Sequence, residues 1–308
     1  MMPKYLTVKP IEMESEHSLV LLHEEDAEEL GVYIGDRLKL STSSSSLIAI
    51  VNLTTKMVQP GEIGTPVEVS REMGLNVGEI VMVSPVPQPT SVRAIRKKME
   101  GKHLSHQEIG EIVTDIVRNN LTSTELSAFV VSEYTQGMSM DEIVSLTTHM
   151  VETGEKLHLE VGPVVDVHSI GGVPGNKYAL ITVPIAVAGG AVVPKTSSRA
   201  ITSAAGTADI MEVLADVSFD LGEIKEITER VGGLIAWGGA VKLAPADDIL
   251  IRVERMLRID PRCQMLASVM AKKLAVGAEH VLIDIPTGPG AKVENRSEAR
   301  SLAQSFME

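Results

Sequence analysis

Val161-Gly-Pro-Val-Val-Asp-Val-His-Ser-Ile-Gly-Gly-Val-Pro-Gly-Asn-Lys177 is the stretch that decides the architecture. Residues 161–165 read as a buried strand ending at Asp166, and a loop carrying Gly171, Gly172 and Gly175 follows. Residues 179–191 then read as a helix packed on a sheet. A strand, a glycine-rich loop and a helix in that order are how α/β sheets present ligand sites beyond their strand ends. The glycines let backbone amides approach an anion, and the helix start adds partial positive charge. The spacing matches neither the P-loop nor the dinucleotide pattern. Taken alone, the motif therefore fits an anion loop or a plain turn with a solvent-facing His168.

Downstream the alternation continues. Strands are expected at 191–194, 234–237 and 281–285, and helices from near Ala208, at 223–231 and at 264–274. Continuous apolar strands between helices predict an α/β lobe over 156–308 with a mixed or parallel sheet. No closing strand precedes Glu308, so this lobe reads as incomplete. Trp237-Gly-Gly239 and Ala244-Pro-Ala-Asp-Asp248 read as strand-end turns that could line the same crevice.

Upstream, residues 85–155 read as a helical lobe. Ser105 with Glu108, Thr122 with Glu125 and Ser139 with Glu142 are three capping boxes, each marking a helix start. Residues 1–84 read instead as a small β barrel, with strands at 38–40, 46–53, 67–69 and 80–83. An internal repeat supports this. Leu30-Gly-Val-Tyr-Ile-Gly-Asp-Arg-Leu-Lys-Leu40 matches Met73-Gly-Leu-Asn-Val-Gly-Glu-Ile-Val-Met-Val83 in both glycines, the acidic residue and the apolar alternation. Each copy follows a helix-like segment, 24–30 or 70–73, so a pseudo-twofold barrel of the double-psi or cradle-loop kind is expected. Ser84-Pro-Val-Pro-Gln-Pro89 reads as a stiff, extended linker.

Composition narrows the function. Aromatics make up 3% of the 308 residues and the net charge is −13, which argues against base stacking and against a phosphate-backbone footprint. No nucleic-acid or membrane partner is expected. One cysteine, Cys263, excludes an internal disulfide, and no histidine spacing suggests a metal. Glu12 and Glu14 do not suit a signal peptide, so a cytoplasmic setting is expected.

Two further constellations could carry chemistry. Lys195-Thr-Ser-Ser-Arg-Ala-Ile-Thr-Ser-Ala-Ala-Gly-Thr207 packs six hydroxyls, a lysine and an arginine into 13 residues, a density suited to phosphate and ribose. Asp260 stands where a helix is expected to start, and Ser268 and Lys272 fall four apart on one helix face. Acid, hydroxyl and ammonium together can bind and protonate a heterocycle, though each residue also fits an ordinary structural role.

At these segments the chain resembles the nucleoside phosphorylase-II family, whose pyrimidine members carry Asp-Lys-His-Ser-Thr-Gly-Gly. The resemblance runs from the Pro-rich linker to Glu308 and is strongest to the archaeal-type AMP phosphorylases, which carry an extra N-terminal domain. That branch shares the run from Lys195 to Thr207 without change, and Leu243-Ala-Pro-Ala-Asp-Asp and Asp284-Ile-Pro-Thr-Gly also look like it. The resemblance implies phosphorolysis of AMP, and of other nucleoside 5′-monophosphates, to free base and ribose 1,5-bisphosphate. Inorganic phosphate is then a co-substrate, no cofactor or metal is needed, and a homo-oligomer is expected.

Carried over by position, Asp260 is the proton donor. Gly172, Ser198, Arg199, Ala200, Ile201, Thr202, Ser203, Thr207, Ser268 and Lys292 contact AMP. His168, Ser169 and Ser197 match phosphate-side positions, and Lys272 a base-side one. The chain departs from the family at Val167, where a lysine is expected, and at Tyr178 and Ala179, where hydroxyls are expected. The family also extends beyond residue 308. Two alternatives stand beside this reading: a phosphorylase of unphosphorylated nucleosides, against which the hydroxyls and Arg199 speak, and a shortened, weakly catalytic nucleotide-binding or assembly module, which these departures favour.

Overall fold

The computed structural model describes residues 3–15, 18–171, 173, 177–199 and 205–308. The chain divides into two compact units, Met1–Ala94 with Asp115–Leu126, and Ile95–Thr114 with Ser127–Glu308. Helices α3 (Thr90–Met99), α4 (His106–Val117) and α5 (Ser123–Gln136) contribute residues to both.

The first unit holds β1 (Lys4–Ile11), β2 (Leu19–His23), α1 (Glu24–Leu30), β3 (Arg37–Ser41), β4 (Ser46–Thr54), β5 (Glu62–Pro66), α2 (Val67–Met73) and β6 (Ile80–Val86). The six strands close into a barrel in the order β1-β5-β2-β4-β3-β6. The repeat has a backbone cause. Gly31 and Gly74 end α1 and α2 at φ 64° and 67°, and Gly35 and Gly78 follow at φ 89° and 78°. All four positions sit in the left-handed region that side chains with a Cβ disfavour. The two repeat-bearing strands then pair antiparallel, with Leu40 opposite Val83. Leu6, Leu22, Leu38, Leu40, Ile63 and Val81 fill the barrel, each fully buried. Each contributes on the order of 1.5–3 kcal/mol, which is how a core with so few aromatics holds.

Two expectations about this unit are corrected. Residues 67–69 are the first turn of α2, not a strand. Val69 and Met73, four apart, both turn inward on a helix, and this one-face burial outweighs the preference of two valines for a strand. Ser84–Val86 is not linker: these residues pair with Lys39, Leu38 and Arg37 as the end of β6. Pro85 is tolerated there because the strand needs no further amide donor at that position.

The second unit adds α6 (Met140–Glu152), β7 (Val165–Ser169), α7 (Tyr178–Ala188), β8 (Val193–Ser197), α8 (Thr207–Glu212), α9 (Leu221–Val231) and β9 (Gly233–Trp237). It ends with α10 (Pro245–Leu257), α11 (Arg262–Ala275), β10 (His280–Asp284) and α12 (Arg296–Met307). All three capping boxes form, with Glu108, Glu125 and Glu142 accepting the amides of Ser105, Thr122 and Ser139. Glu142 does more: it is 2% exposed, takes the Lys98 ammonium at 2.8 Å and accepts the Leu104 amide. Burial pushes its carboxyl up, but Lys98 and the Leu104 and Ser139 amides outweigh that and hold it at about 2.

The sheet is parallel throughout. β10 pairs with β7, β8 pairs with β9, and a bridge between Val164 and Val192 joins the two halves. Boundaries shift from the sequence reading in three places. The first strand runs over Val165–Ser169 rather than 161–165, because Gly162-Pro163 interrupts it and Pro163 has no amide to give a ladder. The second begins at Val193 and extends through Lys195, Thr196 and Ser197, so the hydroxyl-rich run starts inside a strand. Pro245–Asp248 opens α10 instead of forming a turn, with proline in the first helical turn where its missing amide costs nothing.

Candidate active site

The strand ends of β7 and β8 and the facing sides of α10 and α11 enclose one cleft of about 1210 Å³, counting the solvent at its mouth. His168, Ser169 and Gly171 come from β7 and its loop, Lys195, Thr196 and Ser197 from β8, and Ser198 and Arg199 from just beyond it. Thr207 stands at the start of α8. Glu254, Asp260, Gln264, Ser268, Lys272 and Lys292 form the opposite wall, and Lys273 reaches from α11 to the strand ends. Every proposed site residue among the described ones therefore lines a single space. Gly172, Ala200, Ile201, Thr202 and Ser203 lie outside the described residues.

One wall is cationic. Lys273 is 1% exposed and pairs with the buried Asp166 at 2.5 Å. Lys195, 2% exposed, donates to the Thr196 carbonyl, and burial together with Lys273 brings its ammonium down to about 7. Burial first, then Lys273, Lys195, Lys272 and Lys292, push His168 well below its ordinary value, so its ring is neutral at pH 7. In a chain of net charge −13, these lysines gather positive charge locally. Val167 does not face it: the side chain is buried with Ala179, Val183, Val193 and Ile235. Tyr178 sits against the strand end, its hydroxyl accepting the Ser169 amide at 2.9 Å.

The other wall is built around Asp247, which is fully buried on α10. It accepts from Lys272 at 2.5 Å, Ser268 at 2.8 Å and Gln264 at 3.2 Å, fixing three consecutive inward positions of α11. Asp260, between these helices, forms an ion pair with Lys292. Burial works against the Lys272 ammonium, but Asp247 and Asp248 outweigh it and raise its affinity for the proton. Arg199 is held by Asp209 at 3.2 Å and Glu212 at 2.6 Å and lies 4.6 Å over the Trp237 ring.

Sequence reasoning missed Asp166, Asp247, Glu254 and Lys273. Lys273 carried a signal, since it interrupts the apolar positions of α11. Asp247 was concealed by reading its helix as a turn. Among the described residues, no group of three or more His, Cys, Asp or Glu side chains is placed to hold a metal ion. No helix among them is long and apolar enough to cross a membrane.

Residues 92–154 match the helical bundle domain of the glycosyl transferase family, and residues 161–307 match its a/b domain. The chain belongs to the glycosyl transferase family. Its relatives include AMP phosphorylase 1 of Archaeoglobus fulgidus, 56% identical over 289 residues, which is 94% of this chain and 57% of the relative. The AMP phosphorylase of Methanocaldococcus jannaschii is 50% identical over 304 residues, 99% of this chain and 60% of that one. The chain thus spans about three-fifths of the length of these relatives. Among solved structures, anthranilate phosphoribosyltransferase from Thermus thermophilus superposes with a TM-score of 0.58 at 20% identity, over 70% of this chain and 62% of that one. At that identity the likeness shows a shared fold. Both the helical and the α/β parts of this glycosyl transferase family chain are accounted for by these matches.

Proposed function

We propose that the cleft carries out phosphorolysis of AMP, releasing adenine and ribose 1,5-bisphosphate. The observation that carries this reading is the pairing of two walls across one space. Lys195, neutral His168, Ser169 and Ser197 stand at the strand ends, opposite Asp260 with Lys292, Ser268 and Lys272. Names of relatives that match almost the whole chain support it.

Cleaving an N-glycosidic bond leaves an electron-poor sugar carbon and a base that departs more easily with a proton. The cationic wall would hold inorganic phosphate for attack on C1′, with the lysines offsetting its charge. Asp260 would pass a proton to the base as general acid. Ser268 and Lys272, held by Asp247, would orient the base, and Lys292 would meet the nucleotide's own phosphate. Phosphate is a co-substrate in this reading, and no cofactor takes part.

The test is Asp260→Asn. Turnover of AMP should fall by about two orders of magnitude with little change in AMP binding. Activity equal to that of the unsubstituted chain would remove Asp260 from this role.

A further inference from the structure

A general acid needs a proton, and Asp260 is paired with the Lys292 ammonium. Another acid lies on the same wall. Glu254 lines the cleft from α10, is 6% exposed, and its Oε1 is buried with no hydrogen-bond partner among the described residues. Behind it, Glu133 of α5 is 1% exposed, and both its oxygens are likewise buried without a partner. Gln264, which also lines the cleft, has an unpartnered Oε1. A buried carboxylate oxygen with no donor is costly, which favours the protonated form of such a group.

We propose that Glu254 is the proton reservoir of the reaction, lending its proton to Asp260 for delivery to the departing base. It rests on the phosphorolysis reading and deepens it. Glu254 acts through Asp260, as a positioning residue for its proton.

The charged groups around Glu254 favour this role. Burial, then Asp247 on its own helix and Asp260 across the gap, push it up, while Lys292 and Lys272 oppose them, and the balance is about 8. Burial and then Glu254 hold Glu133 well above its ordinary value too, against Lys98 and in concert with Asp247 and Glu142. Two neighbouring carboxyls of this kind give up protons in separate steps, so the first can be lent while the second stays.

The step balances. The Glu254 O–H bond breaks and its proton goes to the Asp260 carboxylate. Asp260 gives a proton to a base nitrogen as the C1′–N bond breaks, its electron pair staying on nitrogen. Hydrogen phosphate forms the new C1′–O bond and gives its proton to solvent, from which Glu254 takes one back before the next turnover. An anionic nucleotide that draws Lys292 away leaves the Asp260 carboxylate free to accept the Glu254 proton.

The experiment uses Glu254→Gln, which keeps size and hydrogen-bonding capacity but cannot release a proton. Two substrates are compared: AMP, and 4-nitrophenyl β-D-ribofuranoside 5-phosphate, whose leaving group departs without protonation. With AMP, kcat should fall about tenfold or more while KM stays within about threefold. The nitrophenyl substrate should be turned over within about twofold of the unsubstituted rate, and the alkaline fall in AMP activity near pH 8 should vanish. Infrared difference spectra at pH 7 should show a protonated carboxyl band that the variant lacks. Equal losses on both substrates, an unchanged AMP rate, or no band to lose would each overturn the proposal. If the unsubstituted chain fails to consume AMP, the reading of the site itself fails and takes this role with it.

Discussion

Asp247→Asn tests whether one buried carboxylate organises the base-side wall. Its pair with Lys272 at 2.5 Å is worth about 7 kcal/mol gross at an effective dielectric of about 20. Desolvation of a fully buried carboxylate offsets much of that, and breaking such a pair costs about 3–5 kcal/mol. Asparagine keeps one oxygen for Ser268 or Lys272, so the loss should sit near the low end, about 3 kcal/mol. For a domain of this size that is a fall in Tm of about 6–12 °C. The kinetic signature is separate. Gln264, Ser268 and Lys272 lose their common anchor, so KM for AMP should rise about tenfold while KM for phosphate, bound on the opposite wall, changes little. Thermal unfolding with calorimetry and initial-rate kinetics at pH 7 read both. A variant within about 0.5 kcal/mol of the unsubstituted chain, with KM for AMP unaltered, would refute the reasoning.

Other expectations follow from the same geometry. Glu142, held at about 2 against an ordinary 4.5, contributes about 3 kcal/mol that is present above pH 4.5 and is lost as pH falls toward 2. Glu142→Gln should therefore flatten the acid limb of a stability profile, and an identical limb would count against the Lys98 pairing. Lys195→Met removes a charge-assisted contact worth about 1.5–3 kcal/mol, so KM for phosphate should rise at least tenfold with AMP binding preserved. Equal effects on both substrates would place Lys195 elsewhere. Val167→Lys, which restores the residue common in the family, should destabilise by about 2 kcal/mol or more rather than improve phosphate use, because the side chain is packed among Ala179, Val183 and Val193. A stable variant with tighter phosphate binding would contradict that packing.

What the sequence allowed to be read, and what it did not, divides by physical cause. Repeats and caps were readable because they are local: the left-handed glycines at 31, 35, 74 and 78 and the three capping boxes write their geometry into adjacent residues. The cleft's two walls were readable as motifs, since strand ends concentrate glycines, hydroxyls and basic residues. Strand limits were not, because Val161 and Val165 look alike and only pairing with β10 separates them. Val67 and Val69 alternate as a strand would, yet helix burial at Val69 and Met73 decided the outcome. Asp166, Asp247 and Glu254 escaped notice for a different reason. Asp166 and Asp247 matter through residues far along the chain, Lys273 at 107 positions and Ser268 at 21, and Glu254 matters through its burial, none of which a local pattern records.

The most direct test of the central claim is base release from AMP with and without inorganic phosphate, with adenosine and CMP run beside it. Adenine release from AMP that depends on phosphate, with adenosine left intact, is the predicted result. A folded chain that releases no adenine, or releases it equally without phosphate, would contradict it.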